Sequence, residues 1–478
     1  GDDPKLQFST KLWVPAKSKR QSWVPIRVPS DAGQKGGRVE LSMIQLVETD
    51  GVETFENNVL GMPVSKRSLM LSENEINTGL VVDAPELLDR GSSPVKINEL
   101  TQMINAGRDT VIQSPLGLPP VKLMSNFLPA SHRALDELDQ VVIMGNHLLT
   151  DTTGIISLRK WIRSGGRVWI MLDATSEALV AELLGDDSSY AIVDRVELND
   201  FQFEMSSDAG IQPDRDGGVW SSEIPVEMVR VVTDCEDVVC RINGWPAAFR
   251  EPVGDGQVLF TTLATLGWMN ENGSATKALY QLSRDFFEPK NEHTGFQSSM
   301  IPLLDDEIGY QIPSRRLAGL LLGLNALVIL AGGIWWGRQR RLERLAILVP
   351  ASAIVTTVVM LTIGKQHANS VPSTVVSGQV VQVRNATDEA DVSTALAVYS
   401  QDAGDLGLVT SGGILAMPVE NEESSETQRL RIDDDKTSRW IGSNQPPGVV
   451  RHLVSDSNVQ LSAPIRVRGT FDADGFRG

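Results

Sequence analysis

The chain has 478 residues, room for two or three domains besides any membrane segment. Its 43 Lys and Arg stand against 61 Asp and Glu, a formal net charge of −18, and a field of that sign repels phosphate backbones and argues against nucleic acid as a partner. Two cysteines and five scattered histidines without HExxH spacing supply no metal site, and no Gly-rich loop opens a helix, so no cofactor is expected.

Residues 1–90 are predicted to form a β-rich, sandwich-like domain. Residues 23–28 read as an extended run, and Val39, Leu41 and Met43 alternate with Glu40 and Ser42 at the period of a half-buried strand. Gly36-Gly37, Asp50-Gly51 and Gly61-Met62-Pro63 supply turns, and short β-rich runs follow at 68–71 and 79–82. The chain opens on Gly1-Asp2-Asp3-Pro4 and closes on Phe476-Arg477-Gly478, which suggests a removed leader or a piece of a longer protein.

Strand and helix patterns then alternate through residues 91–312. Residues 110–113 are a predicted strand, Ser131 a cap for a short helix over 132–138, and 140–145 an apolar run suited to a buried parallel strand. Asp151, Thr152 and Thr153 offer N-caps to a helix that buries Ile155, Leu158, Trp161 and Ile162, and Gly165-Gly166 stop it. A strand at 167–172, a helix at 176–184, a late strand at 257–263 and a closing helix at 276–287 complete the pattern. It predicts an α/β fold with a doubly wound, flavodoxin-like parallel sheet.

The segments 139–146 (DQVVIMGN) and 158–170 (LRKWIRSGGRVWI), with Gly244-Trp245-Pro246 and 254–260 (GDGQVLF), resemble the class I glutamine amidotransferase-like domain of bacterial membrane proteins. That resemblance implies a sharp turn after a strand bearing a cysteine nucleophile, with a histidine and a carboxylate later. The matching turn, Leu172-Asp173-Ala174-Thr175-Ser176, has no cysteine, and the later His-x-Glu pair is missing. Acyl transfer from glutamine needs an activated thiolate beside a base, so the resemblance implies a catalytically degenerate domain. Ligands of open α/β sheets bind beyond the carboxyl ends of the strands. Asn146, His147, Asp173 and Thr175 fall there and are the candidate binding residues, although capping helices and satisfying loop backbone is the simpler role for each. No catalytic residue is assigned. Cys235 and Cys240 flank a tight hairpin, where an extracytoplasmic setting would allow a disulfide.

Residues 313–366 read as a transmembrane hairpin. The runs 317–336 and 345–364 hold no charged residue and are 20 residues each, roughly 30 Å of helix and the thickness of a bilayer core. Trp335 and Trp336 end the first run beside Arg338, Arg340, Arg341 and Arg344. Aromatic anchors and basic turns of this kind place the turn on the cytoplasmic side. Residues 367–478 return to strands, with an acidic loop at 420–426, and form a second β-rich domain.

The expected protein is a two-pass protein of the bacterial cytoplasmic membrane with its large domains outside. Its partners would be the lipid bilayer and membrane or envelope proteins, and its role binding or assembly of a cell-envelope complex. The alternatives are a hydrolase or transferase using strand-end residues such as His147 and Asp173, and an accessory subunit of a membrane transporter.

Overall fold

The computed structural model describes residues 6–10, 38–41, 47–49, 54–56, 67–70, 77–83, 95–109, 122–123, 127–136, 138–185, 189–207, 210–213, 219–270, 272–288, 295–309, 315–339, 341–368, 370–383, 389–405, 408–410, 417–418, 428–433, 437–441, 444–462, 470–472 and 475–477, with residues 15, 17, 23, 26 and 111 singly. The chain divides into two units. One holds residues 70–292, 383–390 and 460–478; the other holds 1–69, 293–382 and 391–459.

The first unit is built on uncharged runs of β-branched and other apolar residues, the composition of strands covered on both faces. Its parallel strands are β1 (Thr78–Val82), β2 (Lys122–Leu123), β3 (Gln140–Met144), β4 (Arg167–Met171) and, much later, β11 (Gly256–Thr261). Their order across the sheet is β2-β1-β3-β4-β11, all in parallel register, with Val142 opposite Trp169 and Ile170 opposite Phe260. Successive side chains point to opposite faces. Leu80, Val142, Trp169 and Leu259 therefore enter one core, while Val81, Val141, Ile143, Ile170 and Phe260 enter the other.

Helices cover both faces: α1 (Val95–Asp109), α2 (Thr152–Arg163), α3 (Glu177–Leu184) and α4 (Lys277–Phe286). Helix α2 starts where Asp151 accepts from the Gly154 N–H at 2.9 Å and the Leu128 N–H at 2.7 Å. It buries Ile155, Leu158, Trp161 and Ile162, as its periodicity predicts. It ends at Gly165, with φ of +99°, and Gly166 lies so close to Trp161 that a Cβ there would sit 2.4 Å from the indole. Ser176 and Thr276 cap α3 and α4 through their side-chain oxygens.

Beyond β11 the same sheet continues antiparallel, which the sequence pattern does not predict. Strand β10 (Trp245–Val253) pairs with β11, β9 (Asp237–Ile242) with β10, β6 (Phe203–Ser207) with β9, and β7 (Gly210–Pro213) with β6. A separate two-stranded ribbon pairs β5 (Tyr190–Phe201) with β8 (Trp220–Thr233). In it Arg230 pairs with Asp194 and lies 4.9 Å from the centroid of the Trp245 ring.

Two expectations change here, and a third lies outside the described residues. Thr78–Val82, assigned by sequence to the N-terminal β-rich domain, lies inside the α/β sheet between β2 and β3. A fully buried strand of five residues has no alternation to betray which sheet it joins. The helix over 132–138 is a short 3-10 turn, His132–Leu135, and Ser131 makes no side-chain cap bond to it. The strand at 110–113 lies outside the described residues except for Val111, which is in a turn after α1.

In the second unit, α5 (Gly295–Ile308) precedes two long helices, α6 (Arg315–Arg338) and α7 (Leu345–Ala368). Both are long and apolar enough to cross a membrane. The apolar windows within Arg316–Arg338 and Leu345–Gln366 are not buried against the rest of the chain. They touch along one stripe, where a Cβ on Gly332 would meet the Leu348 side chain at 2.5 Å. A four-stranded sheet follows, ordered β12 (Thr374–Val383), β13 (Glu389–Tyr399), β14 (Val450–Gln460) and Met417–Pro418. Helix α5 packs Leu304 and Ile308 on Ala395, Ala397 and Tyr399 of that sheet, and His452 Nε2 lies 2.7 Å from Asp305 Oδ1. A further sheet pairs Leu6–Thr10 in parallel with Gln428–Ile432, so the first described strand closes a sheet of C-terminal strands. In the region of the expected N-terminal sandwich, the described residues form short ladders, Arg38–Leu41 with Arg67–Met70 and Val47–Thr49 with Thr54–Glu56. Most of residues 23–28, the acidic run 420–426 and residues 186–187 lie outside the described residues.

Candidate functional site at the strand ends

The carboxyl ends of β1, β3 and β4 bring together Asp83, the turn Gly145-Asn146-His147 and the turn 172–176. All four sequence candidates are here. Asn146 and His147 follow β3, while Asp173 and Thr175 follow β4; Asn146, His147 and Asp173 are half-buried and Thr175 is fully buried.

The centre of the arrangement is Asp83, a residue the sequence reading missed. Its Oδ1 accepts from the Asn146 N–H at 2.5 Å and the His147 N–H at 2.8 Å. A carboxylate is the natural partner of such unsatisfied donors at the start of a helical turn, here His147–Thr150. Gly145 makes the approach feasible: its φ is +125°, and a Cβ would lie 2.4 Å from Asp83 Oδ1. The Asn146 side chain in turn accepts from the Ser176 N–H at 2.7 Å, tying the end of β3 to the start of α3. Thr175 Oγ1 faces the Gly145 N–H at 3.5 Å, and its own N–H donates to Met171 at 2.9 Å.

A second missed residue is Arg195, on the β5/β8 ribbon. Its guanidinium donates to the Asp173 carbonyl at 2.8 Å and the Leu172 carbonyl at 3.3 Å, and pairs with Glu227 at 2.5 Å. A signal for Asp83 was present in the sequence: Val81-Val82-Asp83 places an acid immediately after a buried strand, as Met171-Leu172-Asp173 does. It was lost by assigning that strand to another domain. Nothing local marks Arg195, whose role depends on a ribbon that forms only through long-range pairing.

The backbone and side-chain oxygens of this site are largely engaged in holding the three turns together. What the geometry offers chemically is a carboxylate and an imidazole-bearing turn at adjacent strand ends. Among the described residues, no group of three or more His, Cys, Asp or Glu is placed to hold a metal. An open cavity of about 520 Å³ lies between the end of α1 and the start of α4, with Asp109, Ser274, Lys277 and Tyr280 in its wall, and none of the four candidates lines it.

The two cysteines stand as free thiols. Cys240 belongs to one core of the sheet, packed near Ala248 and Met205, while Cys235 packs against the other core and its Sγ donates to the Arg250 carbonyl at 2.6 Å. The disulfide suggested by their spacing is not formed, because the sheet separates the two side chains. Burial pushes both thiols above the usual range, most strongly Cys240.

No family model matches this chain, and neither does any curated protein. Solved structures that match include a catalytic mutant of Gan42B, a GH42 β-galactosidase from G. stearothermophilus, at a TM-score of 0.28 and 9% identity over 81% of this chain and 41% of that one. A cytoplasmic protein from Salmonella typhimurium matches at a TM-score of 0.30 and 16% identity over 53% of this chain and 97% of that one. An exo-β-1,4-mannosidase from Opitutaceae bacterium strain TAV5 matches at 0.25 and 14%, over 40% and 32%. The chain spans about 41% of the length of the β-galactosidases it matches. Likenesses at these TM-scores carry no argument about activity. The amidotransferase resemblance finds no support in these matches, which are glycosidases and a cytoplasmic protein. The residues agree: the turn after β4 carries Asp173 and Thr175 where a thiol nucleophile would stand. The segments behind the resemblance are buried strands, a helix and its glycine stop, elements common to many α/β proteins.

Proposed function

We propose that this chain is a membrane-anchored binding or assembly protein of the bacterial cell envelope, with α6 and α7 in the cytoplasmic membrane, the arginine turn inside and both large regions outside. The observation that carries this reading is the pair of long apolar helices that no part of the chain buries, because about 30 Å of uncharged helix is costly to leave in water. Trp335 is 66% exposed at the end of α6, where an indole suits the membrane interface. The strand order β2-β1-β3-β4-β11 supports a flavodoxin-like reading, in which ligands meet the carboxyl ends of the strands. Asp83, Asn146 and Thr175 are used there to hold the turns, which favours a rigid recognition surface over a reacting centre.

The test is topology. Single reporter cysteines are placed at Glu223, exposed on the ribbon, and at Gln339, exposed in the turn, after replacing Cys235 and Cys240. Intact cells are then treated with a membrane-impermeant thiol reagent. Labelling at 223 and not at 339 is expected; the reverse pattern overturns the extracytoplasmic placement. A second reading, a hydrolase or transferase, draws on the placement of Asp83, His147 and Asp173 at neighbouring strand ends. Replacing His147 and Asp173 together by alanine tests it, and loss of in vivo function from a folded protein would favour it.

A further inference from the structure

The turn between α6 and α7 is a strongly basic stretch of an acidic chain. Residues 337–344 contain four arginines and one glutamate, in a protein of net charge −18. Within its described residues the Arg341 N–H donates to the Trp336 carbonyl at 3.0 Å and the Arg344 N–H to the Arg341 carbonyl at 3.3 Å, with a 3-10 turn, Leu342–Arg344, directly before α7. Arg338, Arg341 and Arg344 are all exposed, and among the described residues none of their guanidiniums forms an ion pair. Two further features favour an anion at this level. Helix α7 presents the positive end of its dipole to the same turn. Trp335, exposed in the last turn of α6, lies three residues before Arg338, and indoles favour the headgroup level of a bilayer.

We propose that this turn is a binding surface for the phosphate headgroups of anionic phospholipids. The inference rests on the membrane-anchored reading and deepens it by naming the lipid class. Charge complementarity selects the occupant: guanidiniums bind phosphate bidentately, and a membrane that holds both helices brings headgroups to the turn at high local concentration. The bond would hold the cytoplasmic end of the hairpin at a fixed depth and keep the two helices in register where Gly332 meets Leu348.

The test uses the full chain, purified and reconstituted into nanodiscs of phosphatidylcholine alone or mixed with phosphatidylglycerol. The amount of phosphatidylglycerol retained by the protein after release into detergent is measured. The native chain is expected to enrich it over phosphatidylcholine. In the variant R338Q/R341Q/R344Q that enrichment should fall by about fivefold for each arginine removed, from the usual gain per basic residue at an anionic surface. The variant R338K/R341K/R344K keeps the charge that orients the hairpin, and should insert normally while losing part of the enrichment. Inorganic phosphate, added against chloride at matched ionic strength, distinguishes the source. Displacement of the lipid by phosphate alone would mark a site for the free ion and overturn the lipid assignment. Equal retention of both lipids by a chain that inserts in either disc overturns the proposal and leaves the membrane reading intact. A chain that inserts in neither overturns both.

Discussion

Asp83 Oδ1 lies 2.8 Å from the His147 N–H and fixes the end of β3 to the end of β1. The same oxygen holds the Asn146 N–H, so one carboxylate sets the conformation of the turn that carries two of the candidate residues. This contact makes Asp83 the first place to perturb the site without touching His147.

Replacing Asp83 by alanine leaves two backbone donors at a partly exposed turn without their acceptor. A loss of about 1–2 kcal/mol is expected, with Asp83→Asn losing less because it keeps an acceptor oxygen. Thermal unfolding of the purified protein, followed by limited proteolysis, measures both. An unchanged midpoint for Asp83→Ala would show that the contact does not hold the turn.

Gly145→Ala tests the same relationship from the other side. The backbone stands at φ +125° and the new methyl meets the Asp83 carboxylate. Strain and clash together should cost about 2–4 kcal/mol. In the double variant Gly145→Ala/Asp83→Ala the clash disappears and the backbone strain remains, so the two losses should be less than additive. Simple additivity in the cycle would refute the contact.

Asp151 is buried and serves two segments at once, capping α2 at Gly154 and holding the Leu128 N–H. Asp151→Ala should therefore cost more than an ordinary cap, about 2–3 kcal/mol. Asp151→Asn, which retains an acceptor, should recover part of the loss. Denaturant unfolding measured on both variants checks the ranking.

The thiols predict a pH dependence. Burial raises the Cys240 thiol well above its ordinary value, so the folded state keeps a proton that the unfolded chain releases. The associated stability is fully present below about pH 8.5, the ordinary thiol value, and is lost as pH rises from there toward the raised folded value. Cys240→Ala should flatten the loss above that pH. In the native protein a maleimide should modify Cys235, which is half-buried, well before Cys240; equal rates would contradict the burial of Cys240.

Much of the α/β unit could be read from residue patterns. The uncharged run at 140–144, the cap at Asp151, the apolar stripe Ile155, Leu158, Trp161, Ile162 and the glycine stop at 165–166 are local signals, each with its own physical cause, and the elements formed where those signals lie. The two long apolar helices are set by composition alone, since no tertiary contact is needed to make 20 uncharged residues apolar. Tertiary structure decided what local pattern cannot carry. It put Thr78–Val82 between β2 and β3, extended the sheet antiparallel beyond β11, and joined Leu6–Thr10 to Gln428–Ile432 across the length of the chain. It also brought Asp83 and Arg195 to the candidate site and set Cys235 and Cys240 on opposite faces. The reason is the same in each case: periodicity reports which face of an element is buried, whereas the partner of a strand is chosen by contacts between residues far apart in sequence.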